Sequence, residues 1–155
     1  MNPYEYLQEK ACKDGVDVID YPFNSSRIQG LYCNGTVAIR QNMTTAEKSC
    51  VLAEELGHHY TTAGDILNQT DIGNRKQELR ARLWAYNNRI GLLGIIEAYK
   101  ARRTAPEEMA EFLEVSPEFL QEALKCYRSK YSPHVKVDNY ILFFEPCLAV
   151  METLR

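Results

Sequence analysis

Apolar and polar positions change period several times along this chain, and those changes divide it into elements. Residues 3–13 predict a first helix, opened by Pro3, and residues 16–20 a strand. Two apolar runs, residues 28–33 and 36–40, are joined by Asn34-Gly35, the dipeptide that suits a two-residue type I′ hairpin turn. Thr44-Thr45-Ala46-Glu47 has the form of a capping box, so a helix should begin there and end near Gly64. Further helices are expected over residues 76–89 and 92–102, then a short one capped by Thr104-Ala105-Pro106-Glu107. Ser116-Pro117 supplies an N-cap and a first-turn proline for residues 118–130. Residues 136–144 and 148–154 read as two strands broken at Pro146. This pattern predicts an α+β fold: a small twisted antiparallel sheet packed on a helical core. It forms a single domain over residues 1–155, including a helix-turn-helix-like segment at 104–130 and a C-terminal β-hairpin at 136–154.

Composition narrows the classes of function. With 155 residues, 45% of them hydrophobic, the chain can bury one workable core. Its net charge of −3 offers no electrostatic reason to expect nucleic acid. The helix-turn-helix-like segment strengthens that view. A recognition helix over residues 117–130 would have to face phosphates with Glu118 and Glu122, while Glu107, Glu108, Glu111 and Glu114 line its partner helix, and affinity for DNA depends largely on neutralising phosphates. Direct DNA binding is not expected, and packing or protein docking is the better use of the segment. The five cysteines are odd in number and lack CxxC spacing, which suggests reduced thiols. No N-terminal apolar run suggests export and no segment is long enough to span a bilayer, so the expectation is a cytoplasmic protein with no membrane partner.

Chemistry concentrates in AEELGHHYT at residues 53–61. In the HExxH motif of zinc peptidases, two histidines one turn apart bind Zn²⁺ and the glutamate between them activates water. Here Glu55 and His58 occupy the places of the general base and the second ligand, while Glu54 stands where the first histidine belongs. A carboxylate can also bind zinc. At roughly 100° per residue, Val51, Glu54, Glu55, His58 and Thr62 share one side of the helix. Leu52, Ala53, Leu56, Gly57 and Tyr60 share the other and read as the core-packing stripe. The competing pair, Glu55 with His59, would put Leu56 in the base position. His59 therefore reads as a packing residue and His134 as a solvated loop residue. The plain alternative for Glu54, Glu55 and His58 is a solvated acidic helix face.

A wider resemblance gives the motif its context. The hairpin GLYCNGTVAIR, the segments VLAEELGHHYTTAGDI and KQELRARLWAYNNRI, and then PEEMAEFLEVSPEFLQEALKCY and VDNYILFFEP are together similar to the ImmA/IrrE family of bacterial metallopeptidases. The resemblance implies a small zincin-like domain whose members cleave repressors or other regulatory proteins of phages and conjugative elements. It also implies a third metal ligand in the context E-x-x-A-x-x-W-A, which Glu78, Ala81, Trp84 and Ala85 match here. Without the resemblance, the better reading of Glu78 is an ordinary surface ion pair with Arg82 one turn on.

The expected function is then metal-dependent cleavage of a repressor-type regulatory protein. Glu54, His58 and Glu78 would hold Zn²⁺ and Glu55 would act as the base. Two carboxylate ligands neutralise a divalent ion, which makes it a poorer Lewis acid and shifts preference towards Mn²⁺ or Fe²⁺. The alternative is therefore a catalytically impaired relative that acts as a protein-binding regulator, an anti-repressor.

Overall fold

A computed structural model describes residues 1–61 and 71–153, with backbone alone for 71–74. The expected helix end at Gly64, Thr62 on the motif face and the strand end at Leu154 lie outside the described residues. The length predicts one domain, and the described chain divides into two compact units, Met1–Arg89 and Ile90–Arg155. The class is mixed α+β, as expected.

The first unit runs α1 (Pro3–Lys13), β1 (Asp17–Tyr21), β2 (Gly30–Cys33), β3 (Thr36–Arg40), α2 (Thr45–Thr61) and α3 (Asp71–Arg89). Asn2 and Glu5 cap each other's backbone to start α1, with Pro3 in the first turn. Asn34 and Gly35 both take positive φ, 48° and 80°, as a type I′ turn requires. That turn fixes the β2–β3 register, pairing Tyr32 with Val37 and Gly30 with Ile39. The sheet is mixed rather than antiparallel throughout: the hairpin leaves β3 one free edge, and β1 pairs with it in parallel. Arg40 organises the loop between β1 and β2, its guanidinium donating to the carbonyls of Phe23, Ser25 and Ile28.

Thr44 and Glu47 form the expected capping box at the head of α2. The Glu47 amide donates to Thr44 Oγ1 at 3.1 Å, and the Thr44 amide donates to Glu47 Oε1 at 3.4 Å. Leu52, Ala53, Leu56 and Gly57 are buried, as the periodicity predicts, with Val37 and Ile39 of β3 and Leu7 and Ala11 of α1. Tyr60, assigned to the same stripe, is only half-buried.

The second unit runs α4 (Gly91–Lys100), α5 (Pro106–Leu113), α6 (Pro117–Tyr131), β4 (His134–Val137), β5 (Tyr140–Phe143) and β6 (Ala149–Glu152). Ser116 caps α6 as expected, accepting from the Phe119 amide at 3.2 Å. Thr104 does not cap α5; its N-cap is Ala105, which makes no side-chain hydrogen bond. The C-terminal hairpin proves to be a three-stranded antiparallel meander, β4-β5-β6, because Asp138 takes a left-handed φ of 51° and turns the chain inside the expected first strand. His134 accordingly lies on β4, exposed and against the ring of Phe143, instead of in a loop.

Two features of the first unit give measurable consequences. Gly57 lies so close to α3 that a Cβ there would collide with the Ala81 carbonyl, a backbone atom with no freedom to yield. Gly57→Ala should therefore destabilise the protein by about 1–3 kcal/mol in denaturant unfolding, despite the better helix propensity of alanine. The second feature joins three elements: Tyr4 Oη donates to Asp20 Oδ1 at 3.5 Å, and Lys48 Nζ lies 3.4 Å from the same oxygen. Burial, then the charge of Asp20 and the hydrogen bond to it, push the Tyr4 phenol up to about 12. A raised folded-state pKa means that this contribution is fully present below the unfolded value of 10.0 and is lost as pH climbs through 12. Tyr60, buried in part and bonded to Asp14, is likewise pushed up to about 12, so ultraviolet titration should show two late-ionising tyrosines near 12, and Tyr4→Phe should remove one of them.

Candidate active site

Two helices and one strand build the site. Helices α2 and α3 pack along a seam of small residues, Gly57 against Ala81, with Ala85 also fully buried. Leu or Phe at these places would hold the axes further apart. The close seam lets side chains on its flank meet: His58 Nε2 lies 3.4 Å from Glu78 Oε2. The other oxygen, Glu78 Oε1, lies 3.3 Å from Arg82 Nε. Glu78 thus makes the ion pair that its i,i+4 spacing suggests and the contact with His58 at the same time. Both carboxylate and imidazole remain partly open to solvent, at 44% and 31% side-chain exposure.

Strand β2 approaches α2 from another side. Its residues alternate in facing, so Gly30 and Tyr32 turn towards α2 while Leu31 and Cys33 turn away. A Cβ at Gly30 would sit 3.2 Å from Glu55 Cγ and 3.4 Å from Glu55 Oε1, so the missing side chain makes room for this carboxylate. Tyr32 continues the contact one helical turn further, its hydroxyl 2.7 Å from His59 Nδ1. Glu55 and His59 therefore face β2, whereas His58 faces Glu78. Burial raises the Glu55 carboxyl above its ordinary value; the nearby His58 counters this and Glu78 adds to it. A carboxylate so shifted is a better proton acceptor than an exposed one.

The backbone of β2 adds a second capability. The Arg40 amide donates to the Gln29 carbonyl at 2.8 Å, so residues 29, 31 and 33 direct their backbone groups towards β3. Gly30 and Tyr32 direct theirs to the other edge. Among the described residues no strand pairs with that edge, since β2 is the last strand of its sheet. The edge available to an extended peptide thus lies directly beside Glu55.

Of the four site residues expected from sequence, the structure brings His58 and Glu78 together and places Glu55 half-buried beside them. Glu54 is half-buried one turn before His58. Among the described residues, no three His, Cys, Asp or Glu side chains gather closely enough to hold an ion as they stand. The donors fit a divalent ion in kind, because an imidazole nitrogen beside a carboxylate oxygen is a set that zinc and its neighbours accept. Gly30, Tyr32 and the Tyr32–His59 bond were not anticipated. The signal for the first two was available: through the Asn34-Gly35 turn they share a face with the apolar pair Val37 and Ile39.

Fold and site together present a helix pair, joined at His58 and Glu78, beside an edge strand. A family model described as the IrrE N-terminal-like domain, of a peptidase family, matches residues 11–125, and the chain belongs to that family. Membership supports metallopeptidase chemistry and a divalent metal, typically zinc. No curated protein matches the chain. Among the described residues no helix is long and apolar enough to cross a membrane.

The Tyr32–His59 bond can be tested without substrate. Tyr32→Phe should lower stability by about 1 kcal/mol, the net worth of one such bond. It should also shift the His59 ring nitrogens in NMR spectra. Unchanged His59 resonances would remove the bond.

Proposed function

We propose that this chain is a metal-dependent endopeptidase that cleaves a specific regulatory protein of the repressor type, in the cytoplasm of a bacterium. One observation carries the reading. The edge of β2, unpaired among the described residues, runs beside a half-buried carboxylate of raised pKa, Glu55, and the adjacent His58–Glu78 pair offers metal donors. An extended substrate segment adds to the sheet through the backbone of Gly30 and Tyr32, as strands commonly recognise peptides. Glu54, His58 and Glu78 would hold the ion, which supplies Lewis-acid polarisation of the scissile carbonyl and acidifies water. Glu55 takes the proton of the attacking water and returns it to the leaving amine. Arg82 holds Glu78 by its second oxygen and so limits its rotation towards solvent. The six glutamates of α5, α6 and the turn between them, all exposed, support docking to protein over binding to DNA.

A second reading has its own support. Glu54 in the first ligand place leaves a bound divalent ion close to neutral, which weakens it as a Lewis acid. A relative that binds its regulatory partner without cutting it, an anti-repressor, would tolerate this.

Elemental analysis and a cleavage assay separate the two. Protein purified without chelator should carry about one divalent ion per chain, lost in His58→Ala and in Glu78→Ala. Wild type, Glu54→His and Glu55→Gln would then be incubated with a repressor encoded beside this chain, in matched Zn²⁺ and Mn²⁺. Cleavage by wild type that vanishes in Glu55→Gln supports the peptidase. Cleavage by Glu54→His alone marks an inactivated enzyme and favours the binding role. A protein that takes up no metal would leave only that role.

A further inference from the structure

The face of β2 that turns away from α2 carries its own information. Ile19 of β1 and Leu31 of β2 both lie directly opposite Ala38 of β3, one from each side, so Ile19, Ala38 and Leu31 form a row across all three strands. This row is apolar and open: Ile19 is 46% exposed and Leu31 54%. Leu31 stands at its end, on the edge whose outward backbone groups belong to Gly30 and Tyr32.

A strand laid along that edge bonds to the backbone of Gly30 and Tyr32 and sets one side chain beside Leu31. In an antiparallel pairing this is the non-hydrogen-bonded position, where opposed side chains approach most closely. We propose that Leu31 is a specificity-determining residue: the protein takes extended segments that carry an aliphatic or aromatic side chain beside Leu31, which lengthens the exposed row by one member. The inference rests on the reading that β2 receives the substrate, and it adds what that substrate must look like. Side chains of a strand alternate, so a residue beside Leu31 puts its two neighbours on the face towards α2 and Glu55. A slip of one residue would turn the apolar side chain to the wrong face, so Leu31 also sets the phase in which the segment crosses Glu55.

The test uses the full chain and fluorescein-labelled nonapeptides of threonine flanked by lysine, with the central residue Leu, Ser or Glu. Binding is read by fluorescence anisotropy for wild type, Leu31→Ser and Leu31→Lys. Leu31 is exposed, so both variants should fold, and circular dichroism checks this. Wild type should prefer the Leu peptide over the Glu peptide by about fivefold, the upper end for one cross-strand pair. The preference should flatten in Leu31→Ser and invert towards Glu in Leu31→Lys. The same ranking in all three proteins, or no binding of any peptide at millimolar concentration, would overturn the proposal. So would a wild-type dimer in sedimentation that Leu31→Lys dissolves, since a second copy would then cover the row. Metal content and the Glu55→Gln comparison report separately on the peptidase reading. Inverted selectivity without metal or cleavage would keep Leu31 as a selector and remove the enzyme, and metal-dependent cleavage without inversion would do the reverse.

Discussion

The near-contact of two backbones, Gly57 on α2 and the Ala81 carbonyl on α3, is the constraint from which the site follows. Helices held apart by ordinary side chains lie 8–10 Å between axes, and short side chains at the crossing favour the low end. Glutamate and histidine have limited reach, so the contact between His58 and Glu78 depends on that closeness. The seam also explains the local pattern of sizes. Ala53, Ala81 and Ala85 are all buried almost completely, while the larger Leu52 and Leu56 fill the neighbouring core. Small residues here position chemistry; large ones nearby hold the fold.

A second glycine works in the same way between helix and sheet. Gly30 gives Val51 and Glu55 the volume that any other residue would take, on a strand that lies at the edge of its sheet. Unpaired edges are an aggregation hazard that proteins usually blunt with charge, proline or a bulge. Residues 30–33 use none of these devices. Leu31 among them is exposed and apolar, as is Ile19 across the sheet. An edge left in that state beside a half-buried carboxylate is consistent with a strand kept open for a partner.

Much of this arrangement could be read from residues alone, where a local rule had one answer. Asn34-Gly35 fixed a turn type and with it the register of β2 on β3. Thr44 and Glu47 marked the head of α2. Spacing put Glu54, Glu55 and His58 on one flank, whereas in the structure Glu55 turns towards β2 and His58 towards Glu78. Glu78 could not be chosen from spacing, because its pairing with Arg82 is as good a local reason for a glutamate. Both contacts coexist, and only packing reveals the second. The failures share a cause. The parallel pairing of β1 depends on which edge of β3 is left free. The Tyr32–His59 bond joins residues 27 positions apart. Asp138 needed a left-handed backbone that a non-glycine residue adopts only in its particular turn. Each of these is decided by tertiary context, which periodicity does not carry.

Arg40 holds the loop before β2 by an unusual economy. Its guanidinium donates to the carbonyls of Phe23, Ser25 and Ile28, and its ring neighbour is Phe23, 5.9 Å away. Carbonyls are common to all twenty residues, so the clamp specifies the path of the main chain and leaves the side chains along it nearly unconstrained. The loop leads into the open edge of β2. Point substitutions there can alter what the edge meets while the shape persists, and divergence of partner choice can proceed without loss of the fold. One arginine separates the part of this surface that must stay from the part that is free to change.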